Sequence, residues 1–81
     1  MISIYPNPST GTVIIEHEAK MQKIVKLRLV SLSGQVVKEW IVDTKTNGSR
    51  TTLDVGEFNG LYLLQFTGSG INHTQRVMII N

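Results

Sequence analysis

The chain has no cysteine. Neither a disulfide nor a thiolate metal site can staple it, so its stability must come from sheet packing alone. The absence says little about compartment, because oxidising compartments also hold domains without cysteine. Charge of one sign is scarce as well: eight Lys and Arg stand against six Asp and Glu, a formal net charge of +2. Lys20, Lys23, Lys26 and Arg28 form the only basic cluster. Two of them alternate with apolar residues, as a solvated strand face does. A surface that tracks phosphates needs more charge with aromatics interleaved, so nucleic acid is excluded as a partner. No apolar run approaches the length that spans a bilayer, so the chain is expected not to be membrane-spanning. The first residues have neither the basic nor the apolar region of a signal peptide. If the protein acts outside the cytoplasm, its export signal is not in this segment. That favours a piece cut from the end of a larger protein. Eighty-one residues allow one domain, residues 1–81, with a thin core. A chain this short hides only about 60–65% of its unfolded surface.

Chemistry-bearing residues are equally sparse. The carboxylates are Glu16, Glu18, Glu39, Asp43, Asp54 and Glu57. Glu16 and Glu18 share a strand face, but a solvated strand end accounts for them better than an acid/base pair. His17 and His73 lack the spacing of a zinc site, and no calcium-loop pattern surrounds the aspartates. The serines lie in turns, and none sits in a G-x-S-x-G elbow. No catalytic residue, cofactor site or metal site is expected. Among the aromatics, Phe58, Tyr62 and Phe66 are assigned to the core. Trp40, among Lys38, Glu39 and Asp43, is the one candidate for the surface, and packing against a rim suits it better than ligand stacking.

What the chain does have is turn punctuation and β-period runs. Pro6 and Pro8, spaced by Asn7, fix two φ angles and withdraw two N–H donors, so this stretch cannot lie inside a helix or a central strand. Tyr5 and Asn7, each before a proline, are pushed toward extended conformations. Gly11 supplies a turn, and the first regular strand is expected from Thr12. Further turns are read at Ser33-Gly34, Asn47-Gly48, Glu57 to Gly60 and Gly68-Ser69-Gly70. Ser33-Gly34 connects Leu32 tightly to Gln35, so the runs on either side of it are read as a hairpin. Asn47-Gly48 is the strongest hairpin dipeptide. Between the turns, Val25, Leu27 and Leu29 face one way and Lys26 and Arg28 the other. Tyr62, Leu64 and Phe66 oppose Leu61, Leu63 and Gln65. Val77 and Ile79 oppose Arg76 and Met78. A helix over Glu16 to Val30 would bring Arg28 into its apolar stripe, so period two fits better. The expected fold is all-β: an immunoglobulin-like antiparallel β-sandwich of about seven short strands.

The order of these pieces carries more than any one of them. Tyr5-Pro6-Asn7-Pro8, then Leu32-Ser33-Gly34-Gln35-Val36-Val37, then Leu53-Asp54-Val55, then Gly60-Leu61-Tyr62-Leu63-Leu64, then a basic residue in a final apolar strand, resembles the C-terminal sorting domain of type IX secretion cargo proteins. The resemblance runs from Ile4 to Ile80. It implies an address label and not a catalyst. The cargo would pass from the periplasm across the outer membrane of a Gram-negative bacterium to the cell surface or the extracellular space. The implied partners are the type IX translocon and its shuttle proteins. A sortase-like cell-surface protease would then cut upstream of Ile4. The family's Pro-rich opening falls on Tyr5, Pro6, Asn7, Pro8 and Gly11, its turn on Gly34, its Gly-x-Tyr element on Gly60 and Tyr62, and its basic position on Arg76, where Lys is more usual. Arginine keeps the charge but changes the hydrogen-bond geometry. Asn81 is a second departure, at a place where many relatives carry an apolar or basic residue.

The last strand, His73 to Ile80, is strongly apolar at its end, through Val77, Met78, Ile79 and Ile80. An apolar strand at a sheet edge can accept another chain, which makes these residues the expected docking element. An ordinary core strand is the competing reading. At the level of the whole domain, the competing reading is a structural or carbohydrate-binding module of a secreted enzyme, which would persist in the mature protein. Oligomeric state is not encoded in these patterns.

Overall fold

A computed structural model describes residues 2–6, 8–17, 24–43, 50–68 and 70–81. Among these residues there are seven strands and no helix: β1 (Ser3–Tyr5), β2 (Thr12–Glu16), β3 (Ile24–Ser31), β4 (Val36–Asp43), β5 (Arg50–Asp54), β6 (Gly60–Gly68) and β7 (Ile71–Ile79). They form a three-stranded sheet in the order β1-β2-β5 and a four-stranded sheet in the order β4-β3-β6-β7, with every ladder antiparallel. This is an immunoglobulin-like sandwich in which the fourth strand has a particular place. In the constant-type arrangement the fourth strand lies beside the fifth; here it pairs with the third.

Alternation decides the faces. Val25, Leu27 and Leu29 of β3, Leu64 and Phe66 of β6, and Val77 and Ile79 of β7 are buried; so are Ile4, Val13, Ile15, Leu53 and Val55 from the other sheet. Successive side chains point to opposite faces of a strand, so the two sets meet between the sheets. Phe66 sits deep in this layer, opposite Leu27 on β3, with the His17 ring 6.1 Å away. The predicted faces of β3, β6 and β7 agree with this packing. Trp40 pairs with Leu27 and is half-buried against the core, with Lys38 Nζ 5.5 Å from its ring centre. The rim reading of Trp40 therefore holds.

Two expectations change. The chain does not start its regular structure at Thr12: a short strand, β1, precedes the prolines and pairs with β2. Also, β4 and β5 are not partners, since they belong to different sheets. Asn47-Gly48, between them, lies outside the described residues, as do Glu18, Lys20 and Lys23.

The β6–β7 connection brings backbone close to the core. Gly68 has φ +145, and a Cβ there would come within 2.7 Å of Val25 Cγ1 and 3.0 Å of Val25 Cα. The second contact is with backbone, which cannot rotate away. Gly68→Ala is expected to cost about 1–3 kcal/mol. For a domain of this size that lowers the melting temperature by roughly 10 °C. A variant that melts with the parent in a thermal scan would contradict this packing.

On the outer face of the smaller sheet, Tyr5 Oη donates to Glu16, and Arg50 approaches the same carboxylate at 3.0 Å. These two hydrogen bonds, the one from Tyr5 first, hold the Glu16 pKa below its ordinary 4.5. A carboxylate depressed in the folded state stabilises above its unfolded pKa, and the contribution is lost as the pH falls through the folded value. The loss therefore lies below about pH 4.5. Tyr5→Phe is expected to flatten the dependence of melting temperature on pH in that window and leave it unchanged near neutrality. A parental acid slope in the Phe variant would contradict it.

Candidate functional site

The segments singled out by sequence meet at one end of the sandwich. This end holds the β3–β4 turn, the Val55–Asn59 connection, the start of β6, the end of β7 and the stretch from Ser9 to Gly11. Each is tied to another by backbone hydrogen bonds. Ser9 N–H donates to Met78 O at 2.8 Å, and Ile80 N–H donates to Ser9 O at 2.9 Å, a parallel bridge at the outer edge of β7. Val55 N–H donates to Gly11 O at 2.9 Å. Ser9 is fully buried, and its hydroxyl donates to the Pro6 carbonyl. The Tyr5–Pro6 peptide is cis.

The β3–β4 turn is closed by Gly34 N–H to Ser31 O at 2.9 Å and Ser31 N–H to Gln35 O at 2.8 Å. Ser31 Oγ adds an acceptor for Gln35 N–H at 3.1 Å. A hydroxyl that satisfies a turn amide in this way rigidifies the turn. Leu32, at its tip, is 62% exposed.

Gly60 and Tyr62 are explained by the fold itself. Gly60 has φ +115 with nothing within 4 Å of its missing Cβ, so glycine is required there by conformation and not by space. Tyr62, at the start of β6, donates its hydroxyl to Asn59 O at 3.1 Å and meets the Phe58 ring edge-on at 5.8 Å. This is the geometry of a tyrosine corner, in which a tyrosine near the start of the sixth strand bonds back to upstream backbone. Its hydrogen bond holds the connection that enters β6.

The outer face of the four-stranded sheet divides in two. Register places Ile41, Lys26, Thr67 and Asn72 side by side, then Glu39, Arg28, Gln65 and Thr74. Arg28 Nε donates to Glu39 Oε2 at 2.8 Å within the second row. Apart from two exposed isoleucines, Ile41 and, one row further out beside Asp43, Ile24, this half is polar. The next row reads Val36, Val30, Leu63 and Arg76, and the row beyond it pairs Leu61 with Met78. Leu32 and Ile80, 62% and 54% exposed, extend the apolar half at its two corners. A continuous apolar area with a polar border is the mark of an interaction surface on a small domain.

The structure thus distributes the expected site residues unevenly. Pro6, Pro8, Gly11, Gly34, Gly60, Tyr62 and Arg76 occupy or border the shared end, while Asn7 lies outside the described residues. Tyr5 is not brought there by its side chain, which is engaged with Glu16 on the other sheet. Val77 and Ile79 are fully buried, so they hold the core and present nothing to a partner. Their alternates Met78, within the strand, and Ile80, just past its end, are the exposed apolar neighbours. Leu61 and Leu63 were legible as the face opposite Tyr62, but nothing in the sequence showed that they would stand beside Val30 and Val36. Among the described residues no group of three or more His, Asp or Glu is placed to hold a metal ion.

A comparison with curated proteins finds no match. A family model described as a secretion system C-terminal sorting domain matches residues 3–81, nearly the whole chain. The match takes in both sheets and every segment of the shared end, and so the chain belongs to the family of type IX secretion C-terminal sorting domains.

Proposed function

We propose that this domain directs a cargo protein through the type IX translocon by docking the apolar half of its four-stranded sheet on a component of that machinery. The observation that carries the proposal is the row arrangement of Val36, Leu61, Leu63 and Met78 around the buried Val30, with Leu32 and Ile80 at the corners. Apolar side chains clustered at the centre of a contact and bordered by polar groups supply most of the energy of a typical interface. Arg76, opposite Leu63, adds a cation at the border of the cluster. The Ser9 bridge already engages the end of the β7 edge. Side-chain docking on the face therefore fits this end better than addition of a foreign strand, which would have to displace the arm formed by Pro8 to Gly11. In the rest of the proposed cycle, the cargo transits the periplasm and reaches the cell surface. There a sortase-like protease removes the domain upstream of Ile4.

The test is a reporter carrying the domain in a type IX-competent host. Replacing Leu61 and Leu63 with serine removes apolar area from a half-exposed face without opening the core. Export is expected to fall by about tenfold or more, the scale of a lost interface anchor of 1.4 kcal/mol or above. The melting temperature is expected to stay within a few degrees of the parent. Parental export by the double variant would contradict docking on this face. Mass spectrometry of the exported reporter tests the cleavage step, since a product retaining residues 3–81 would contradict removal.

A further inference from the structure

Asn81 makes three hydrogen bonds to one connection. Its backbone N–H donates to Asn59 Oδ1 at 2.7 Å, and its side-chain Nδ2 donates to Val55 O at 2.9 Å and to Phe58 O at 2.5 Å. The same connection is bonded to Gly11 through Val55 N–H and to the tyrosine corner through Asn59 O. One residue earlier, Ile80 N–H is bonded to Ser9. Three stretches distant in sequence are thus joined at Asn81: the arm, the β5–β6 connection and the end of β7.

The chemistry of the residue is specific. A primary amide offers two N–H donors from one nitrogen, so one group can serve two carbonyls. Aspartate has the same shape but only acceptors, and would set oxygens against oxygens. Serine has a single donor. Neither an apolar nor a basic residue at this position could reproduce the arrangement with the same geometry.

We infer that Asn81 is a positioning residue of the sorting signal: its amide clasps the β5–β6 connection and thereby holds Met78 and Ile80, through the Ser9 bridge, at the rim of the apolar half-face. The inference rests on the reading of that face as the docking surface. It assigns to Asn81 a role in presentation and not in contact with the partner.

The experiment uses the whole 81-residue chain. Hydrogen exchange is measured on the purified domain, and export on the reporter fusion, for the parent and for Asn81→Asp. In the variant the amide protons of Ser9 and Ile80 are expected to exchange at least about tenfold faster, with those of Leu27 and Leu64 unchanged. Export is expected to drop several-fold at a parental melting temperature. Unchanged protection at Ser9 and Ile80 would overturn the clasp. Faster exchange with parental export would overturn its role in presentation. Should aspartate unfold the domain, Asn81→Ser is judged by the same two readouts. If the parent itself were not exported, the sorting reading would fall, and the exchange measurement would still decide whether Asn81 clasps the connection.

Discussion

A reporter whose sorting domain lacks Met78 to Asn81 is expected to remain in the periplasm. The four residues contribute in different ways, and the loss is correspondingly large. Ile79 is 1% exposed, and removing a buried isoleucine side chain costs about 2–5 kcal/mol. Met78 O and Ile80 N–H are the two backbone partners of Ser9 at the end of β7, so the arm loses its anchor on that strand. Asn81 takes its clasp with it, leaving the Val55 and Phe58 carbonyls without that donor. Met78 and Ile80 are also two of the exposed apolar groups at the shared end. Fold and docking surface are thus lost together. Fractionation of cells by osmotic shock, with the reporter assayed in periplasm and medium, checks the outcome. Full export by the truncated fusion would contradict the docking mechanism and the structural role of the β7 end alike.

Phe66→Ala is expected to unfold a large fraction of the domain at physiological temperature. Phe66 is 1% exposed and lies between Leu27 and His73 in the cross-strand register. Truncating a buried phenylalanine costs about 3–5 kcal/mol through lost transfer energy and the cavity left behind. A chain of 81 residues has only about 4–12 kcal/mol in total. There is no disulfide to limit the unfolded state, since the chain has no cysteine. Phe66→Leu, which keeps most of the volume, is expected to lose clearly less. Urea titration followed by tryptophan fluorescence reads both variants, because Trp40 packs against the same core. Similar midpoints for the parent and Phe66→Ala would contradict the central place given to this ring. Export of the alanine variant is expected to fall with its folded fraction, since a partner that reads a surface requires that surface to exist.

Local pattern reached the strands, but a partner only where a tight turn joins the two. The alternation of Val25, Leu27 and Leu29 against Lys26 and Arg28 identified both faces of β3, because a side chain's face depends only on parity along its own strand. The Ser33-Gly34 turn was legible for a similar reason: its hydrogen bonds close within five residues. Pairing between strands is long-range, and parity does not name a partner. The tight Ser33-Gly34 connection did name β4 as the partner of β3, as a hairpin, whereas the position of β5 beside β2, across a longer separation, could not be read. The three residues of β1 are too few to show a period, and the prolines that follow obscured them. The candidate site had the same division. Gly34, Gly60 and Tyr62 announced themselves by residue type. Asn81 and Ser9 did not, because their roles depend on carbonyls supplied by segments more than twenty residues away. Val77 and Ile79 were recognisable as apolar, but only the packed structure shows that they face inward while Met78 and Ile80 face out.

The central claim is that this folded sandwich is itself a sufficient export address. The measurement that tests it most directly is the destination of an unrelated, signal-peptide-bearing reporter fused to residues 1–81. It is expressed in a type IX-competent host and in an otherwise identical host without the translocon. The account predicts reporter outside the outer membrane in the first host and confined to the periplasm in the second. Retention in the periplasm of both hosts, or release from both, would contradict it.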